Sequence, residues 1–243
     1  IRLSGGVDKL DALIYTLGMP VISGFSGNDL FDNNHANYIG RCGLHGDRAL
    51  NFAAQNSDLI LVIGSRLSLP QIGHDPKLFA PGAYKIVVDI DYMEATKEGL
   101  KVDLPIAADA RDFMRAMIRR APTVAYPDWL AQCQAWKAQY PIPKYSPTGS
   151  SDINPLMPQG VNPYAFIEEL TKHLDDDAII VTDVGFSYLT PFQSMKLNGK
   201  QRLIFSAGVA PMGWGLPAAI GACRAGGGRQ VVLIAGDGGF MFN

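Results

Sequence analysis

Hydrophobic positions alternate between two periods along the first half of the chain. Leu10, Leu13, Ile14 and Leu17 recur at helical spacing within VDKLDALIYTLG, and MPVISG follows as a short strand closed by Gly24. DRALNFAAQNSD predicts the next helix and LILVIGS the next strand; after a loop carrying Pro70, Gly73 and Pro76 come the strand YKIVVDID and the amphipathic helix DARDFMRAMIRR. The strands read as unbroken apolar runs rather than as alternating ones. That is the pattern of a parallel sheet covered by helices on both faces, so the fold class is α/β.

Around Ala121 the pattern changes. From 122 to 161 prolines accumulate (Pro122, Pro127, Pro141, Pro143, Pro147, Pro155, Pro158), interrupted by one helix-like piece, DWLAQCQAWKAQY, and the stretch reads as a linker. A second unit opens at Asn162, a helix N-cap followed by Pro163 at the first helical position, with Phe166, Ile167, Leu170 and Leu174 on one face. The strand AIIVTDVG, an irregular stretch, a Gly/Ala-rich helix from Gly213 to Ala225 and a closing strand from Val231 to Ala235 complete it.

Composition narrows the partners. With 243 residues and 47% hydrophobic content the chain can bury two domain cores. Lys plus Arg number 21 against 23 Asp plus Glu, a formal net charge of -2 without a basic stripe, which argues against nucleic acid. Cys42, Cys133 and Cys223 are odd in number and widely spaced, so they suit a reducing compartment, the cytoplasm, better than a disulfide framework. Met212 to Cys223 is the longest apolar stretch, and three glycines, one proline and its length exclude a membrane span.

Chemistry concentrates where strands end. Asp183 and Asp237 each follow an apolar strand and lead into glycine, and such turns let a phosphate approach the backbone while a carboxylate holds Mg²⁺. A plainer reading has each Asp cap the following helix. GDGGF preceded by APMGWGLPAAIGA resembles the diphosphate domain of thiamine diphosphate enzymes, whose magnesium motif opens with Gly-Asp-Gly and closes with an Asn. GRCGLHGDRALNFAAQNSDLILVIGSRL followed by KIVVDID resembles the central domain of acetohydroxyacid (acetolactate) synthases and their relatives.

The resemblance implies two consecutive parallel-sheet three-layer α/β domains, both incomplete: a central domain over 1–121 lacking its opening strand, the linker 122–161, and the first part of the diphosphate domain over 162–243. By it, the ring-protonating Glu precedes this chain and the closing Asn lies beyond Asn243, so this piece by itself is expected to be inactive. Thiamine diphosphate and Mg²⁺ are the implied cofactors and a 2-oxoacid the implied substrate, in a homodimer or tetramer. Asp237 takes the metal. Gly185, Phe186, Ser187, Gly236, Gly238 and Gly239 approach the diphosphate, and Ala210 holds the pyrimidine edge together with Met212. The Met212 side chain is the catalytic wedge that bends the cofactor, against the alternative of a core filler.

FAD is a further implied cofactor, near His45, Arg66 and Asp89 to Asp91, although other relatives leave that surface empty or bind ADP, and a salt bridge accounts for Arg66 equally well. His74 and His173 receive no role. Two departures bear on the reaction. Pro70 stands where the synthases carry an Arg for a substrate carboxylate, and Gly185-Phe186-Ser187 replaces Gly-Gln-His. The function classes left open are an acetolactate synthase-like carboligase, a related lyase or decarboxylase that does not make acetolactate, and a non-catalytic cofactor-binding module.

Overall fold

A computed structural model describes residues 1–142 and 161–242. The chain divides into two compact units, Ile1–Gly24 with Ala36–Pro141, and Phe25–His35 with Ile142–Asn243. The later part of the expected linker, from 143 to 160, falls outside the described residues.

The first unit runs α1 (Leu10–Leu17), β1 (Val21–Ser23), β2 (Tyr38–Arg41), α2 (Arg48–Gln55), β3 (Leu59–Ile63), α3 (Leu69–Ile72), β4 (Tyr84–Asp89), α4 (Tyr92–Ala95), β5 (Leu104–Ala107), α5 (Ala110–Arg120) and α6 (Pro127–Gln139). All of its strand pairs are parallel: β1 with β2, and β3–β4–β5 in that order. β4 is the central strand of three, and Val87 and Val88, which point to opposite faces, are both buried, which is why YKIVVDID reads as a continuous apolar run. The edge strand β5 is only partly buried and two of its four residues are Ala107 and Pro105, so its sequence carries no strand signal.

Helix ends follow from the sequence. Gly18 closes α1 at φ 58°, a left-handed position that glycine occupies without a Cβ penalty. Asp109 caps α5 by accepting from the N–H groups of Arg111 (2.8 Å) and Asp112 (3.2 Å). The expected linker contains α6, and this helix corrects that reading over its first part. Cys133 of α6 is fully buried with Ile39, Leu50 and Ala53, and Lys137 donates to the Tyr38 carbonyl at 2.7 Å, so the chain through Pro141 belongs with the first unit. Prolines at 122 and 127 flank α6 without separating it, since Pro127 sits at the first helical position where a missing N–H costs nothing.

The second unit contains α7 (Pro163–Thr171), β6 (Ile179–Thr182), α8 (Phe186–Ser194), β7 (Arg202–Ile204), α9 (Gly215–Ala225), β8 (Val231–Ile234) and α10 (Asp237–Met241). Its sheet is again parallel, in the order β7–β6–β8. Side chains of β6 alternate between two cores: Ile180 packs with Ile167, Met195, Leu197 and Leu203, whereas Ile179 and Val181 pack with Ala219 of α9. Helices thus cover both faces, and the parallel α/β expectation holds in both units. Sequence reading left 186–194 irregular because Pro191 lies inside the helix.

Asn162, nearly buried, caps α7 by accepting from Tyr164 N (2.9 Å) and Ala165 N (3.3 Å). Asn162→Ala and Asp109→Ala should each lower unfolding stability by about 1 kcal/mol, the usual cost of a lost N-cap. Urea unfolding of the two variants against the parent checks this, and an unchanged midpoint in either would mean that its cap bonds contribute nothing.

Candidate functional site

The second unit brings two glycine turns together. β6 and β8 are neighbours in parallel register, with Thr182 opposite Ile234, so their carboxyl ends emerge side by side. Parallel strands put helix N-termini at that edge, and there α8 and α10 begin.

Asp183 is the first residue past β6. Its N–H still donates to the Ile234 carbonyl at 2.9 Å, and its carboxylate is buried. That carboxylate accepts from Val184 N (2.8 Å), from Gly213 N (3.0 Å to the closer oxygen) and from Gly215 N (2.9 Å). Asp183 therefore does not cap α8, the helix that follows it. It holds the turn that leads into α9, thirty residues on in the chain. The glycines of MGWG and DGG find their physical reason here. A Cβ on Gly215 would lie 3.0 Å from the Asp183 carboxylate, and one on Gly239 would lie 2.9 Å from it.

Gly185 starts the turn before α8 at φ 75° and ψ -140°, a combination that is costly for any residue with a Cβ. Space above it is open, with nothing within 4 Å of where a Cβ would point, and the same holds at Gly236. Phe186 is largely exposed, and Ser187 turns inward, its hydroxyl donating to the Val184 carbonyl at 2.7 Å. The first-turn N–H groups of a helix have no acceptor within it, so both helix starts offer donors at this edge.

Asp237 opens α10 in an exposed position, and it makes no hydrogen bond or ion pair with another described residue. Ala210 is one of three non-glycine residues with positive φ among the described residues, at 50°, and it immediately precedes Pro211 and Met212. A left-handed alanine costs about 1–2 kcal/mol, so neighbouring structure enforces it. Met212 is 51% exposed and outside both cores of this unit. Its Cε would lie 3.1 Å from a Cβ on Gly238, which places the side chain over the Gly-Asp-Gly turn.

In the first unit, Arg66 is ion-paired with Glu94, Nη2 to Oε1 at 2.7 Å and Nε to Oε1 at 2.8 Å. Lys97 and then Arg66 hold the Glu94 carboxyl below its ordinary value. Asp89 accepts from Asp91 N at 3.0 Å, and Asp91 caps α4 through Met93 N at 2.9 Å. Both acidic residues thus have local structural work, and His45 lies in the turn before α2. Pro70 is engaged as well: its carbonyl accepts from Leu44 N at 2.8 Å, and Gly43 passes so close that a Cβ would overlap that carbonyl. No three His, Cys, Asp or Glu gather as a metal site among the described residues. Sequence reasoning marked Asp183 only as a strand-end carboxylate; its reach to Gly213 and Gly215 is a tertiary fact, hinted at solely by two glycines flanking Trp214.

Asp183→Asn replaces an acceptor oxygen by an NH₂ that faces backbone N–H groups, and should lower stability by about 1–3 kcal/mol. Gly239→Ala should be destabilised in the same range, because its methyl meets the same carboxylate. Denaturant unfolding followed by tryptophan fluorescence measures both; wild-type stability in Gly239→Ala would mean that α10 does not rest against Asp183.

Comparison with known proteins adds the family. The family described as "Thiamine pyrophosphate enzyme, central domain" matches residues 1–117, and the one described as "Thiamine pyrophosphate enzyme, C-terminal TPP binding domain" matches residues 183–243. The chain is 32% identical to a probable acetolactate synthase large subunit of Methanocaldococcus jannaschii over all of this chain and 41% of that protein. It is 31% identical to the acetolactate synthase large subunit of Lactococcus lactis, over 99% of this chain and 40% of that one. Isozyme 1 of the Escherichia coli enzyme is also 31% identical, over 100% of this chain and 42% of the relative. The chain thus spans about two fifths of the length of these curated relatives. Two consecutive family matches in the expected order, with relatives aligned along the whole sequence, mean that the chain belongs to the thiamine pyrophosphate enzyme family.

Proposed function

We propose that this chain contributes the central domain and the diphosphate-binding part of a thiamine diphosphate- and Mg²⁺-dependent enzyme acting on 2-oxoacids, a cytoplasmic homodimer or tetramer in its intact form. The observation that carries this reading is the paired glycine turns at the ends of β6 and β8, with Met212 lying over one of them and Asp237 exposed and unpaired beside it. Open space over Gly185 and Gly236 fits a diphosphate approaching the backbone, and an unpaired carboxylate fits a divalent ion that takes one or two carboxylates with phosphate and water oxygens. When bound, thiamine diphosphate supplies the electron sink for breaking the bond between the carboxylate and the keto carbon of a 2-oxoacid.

The positions of this chain's residues support the following roles in that reading. Asp237 holds the metal. N–H groups of the Gly185–Ser187 turn and of the Gly236–Gly239 turn donate to diphosphate oxygens, an arrangement favoured by the positive ends of the helix dipoles. Strained Ala210 presents its carbonyl, and Met212 its N–H, to the pyrimidine edge. The Met212 side chain, half exposed and resting on Gly238, would serve as the wedge against a bound thiamine diphosphate. A flavin at Arg66 would have to displace or accommodate the Arg66–Glu94 pair, so FAD is not part of this proposal.

A second reading concerns the acceptor. Pro70 is built into the turn at Gly43 and Leu44 and offers no cation, and Phe186 offers no hydrogen bond. These two residues favour a lyase or decarboxylase over a carboligase that must hold a second 2-oxoacid. Assay of the intact protein with pyruvate, scoring acetolactate against acetaldehyde and CO₂, separates the two.

In the intact protein Asp237→Ala should weaken Mg²⁺-dependent retention of thiamine diphosphate and remove most activity. Superimposable magnesium titrations of parent and variant would refute the assignment. Met212→Ala should slow turnover more than it weakens cofactor affinity, since misplacement by about 1 Å can cost on the order of 100-fold in rate. Cofactor C2 proton exchange in folded, saturated protein reads this directly, and parent-like exchange would make Met212 mere packing.

A further inference from the structure

Eleven residues from the N-terminal half, Phe25–His35, belong to the second unit. They lie along α8, the turn after it, and β7. Phe25 is buried and stacks on Phe192 of α8, ring centroids 4.3 Å apart and planes 17° apart, and on Tyr188 of the same helix at 5.7 Å. Asn33 and Leu197 exchange two bonds, Asn33 N to the Leu197 carbonyl at 2.8 Å and Leu197 N to Asn33 Oδ1 at 3.0 Å. Asp32 and Asn198 form an antiparallel bridge, and Gly199, at φ 81°, passes so near that a Cβ would lie 3.0 Å from Asp32 N. Asp29 is buried; its Oδ2 pairs with Arg202 Nε at 2.7 Å and accepts from Leu203 N at 3.2 Å, which satisfies a donor on the edge strand β7. The segment is a strap fastened at three points.

α8 needs such support. It has nine residues, an interior proline and no side-chain N-cap. Pro191 removes the N–H that would bond Ser187 and crowds its carbonyl, a helix cost of about 3 kcal/mol. Thr190 and Ser194 turn their hydroxyls back onto the Phe186 and Thr190 carbonyls, which helps the helix little. What fixes the helix is packing of its buried residues Thr190, Pro191 and Phe192, and Phe25 supplies a large aromatic surface to that side. The first turn of this helix is Gly185–Ser187.

We propose that the strap, through Phe25 on α8 and Asp29 on β7, positions the Gly185–Ser187 turn for the diphosphate, so that Phe25 and Asp29 are positioning residues for cofactor binding although they lie more than 150 positions before it in sequence. This rests on the thiamine diphosphate reading above. A strap that loosens lets α8 shift or fray at its uncapped end, and the N–H donors of its first turn then spend less time aimed at one anion. Neither residue needs to touch the cofactor for this.

The test uses the intact protein with thiamine diphosphate and Mg²⁺ as probes, well below the unfolding temperature. Phe25→Ala should weaken thiamine diphosphate binding by about tenfold, within the range for contacting residues that couple. It should also speed amide exchange at 186–190. Phe25→Tyr, which keeps the stack, should restore both. Asp29→Asn should act in the same direction, and it carries the test if Phe25→Ala fails to fold. Ile167→Val, a loss of core packing in the same unit, should leave cofactor affinity unchanged, which separates positioning from general destabilisation. Parent-like affinity in folded Phe25→Ala and Asp29→Asn, with the parent binding thiamine diphosphate, would overturn the strap's role and leave the functional reading standing. A parent that binds no thiamine diphosphate would remove both.

Discussion

A single buried carboxylate organises the candidate site. Asp183 takes three backbone N–H groups into its two oxygens, and an ionised group held by several donors out of water is among the stronger tethers a fold can build. Each bond fixes a different piece. Val184 N fixes the exit from β6, Gly213 N fixes the residue that follows Met212, and Gly215 N fixes the start of α9. On its remaining side the carboxylate meets Gly239, so α10 can approach only because that residue has no Cβ. Met212, the Gly-Asp-Gly turn and the end of the central strand are therefore located relative to one side chain. A charge burial of this kind is favourable only when its donors are all in place, which gives the turn around Met212 little freedom.

What the sequence revealed and what it hid divide along one physical line. Strands buried on both faces, such as Ile179–Thr182 and Tyr84–Asp89, declare themselves as apolar runs, and helices with one wet face, such as Ala110–Arg120, declare themselves by period. Edge strands that mix in glycine, proline or charge do not, whereas the edge strands Leu59–Ile63 and Val231–Ile234 are apolar throughout and read as strands. Tyr38–Arg41, Leu104–Ala107 and Arg202–Ile204 are three or four residues long and interrupted by Gly40, Pro105 and Arg202, so only their neighbours make them strands. α8 was hidden by Pro191, and α6 was read as linker because prolines flank it.

The site was legible in the same uneven way. Gly236-Asp237-Gly238 stands out in the sequence as a lone carboxylate among glycines after an apolar strand, whereas Met212 is singled out only by what the family resemblance implies. The bonds from Asp183 to Gly213 and Gly215 leave no mark there, since the partners are thirty residues apart and each is unremarkable alone. The strap is more extreme. Nothing in FSGNDLFDNNH distinguishes a surface loop from a segment whose Asp29 and Phe31 are buried against elements near the other end of the chain.

That strap also dictates an order of events during synthesis. Asp29 and Arg202 are separated by 173 positions, and ribosomes add about 5–20 residues per second, so Phe25–His35 leaves the exit tunnel on the order of ten seconds or more before its docking surface exists. Over that interval the first unit can close its own sheets around the gap between Gly24 and Ala36, while the strap stays outside with Phe25 and Phe31 still in water. The nascent chain thus carries an apolar, unpaired hook that a chaperone can shield and a neighbouring chain can capture. Final docking couples residues separated by more than 150 positions, a long-range closure whose entropy cost is met only after the intervening segment has been made.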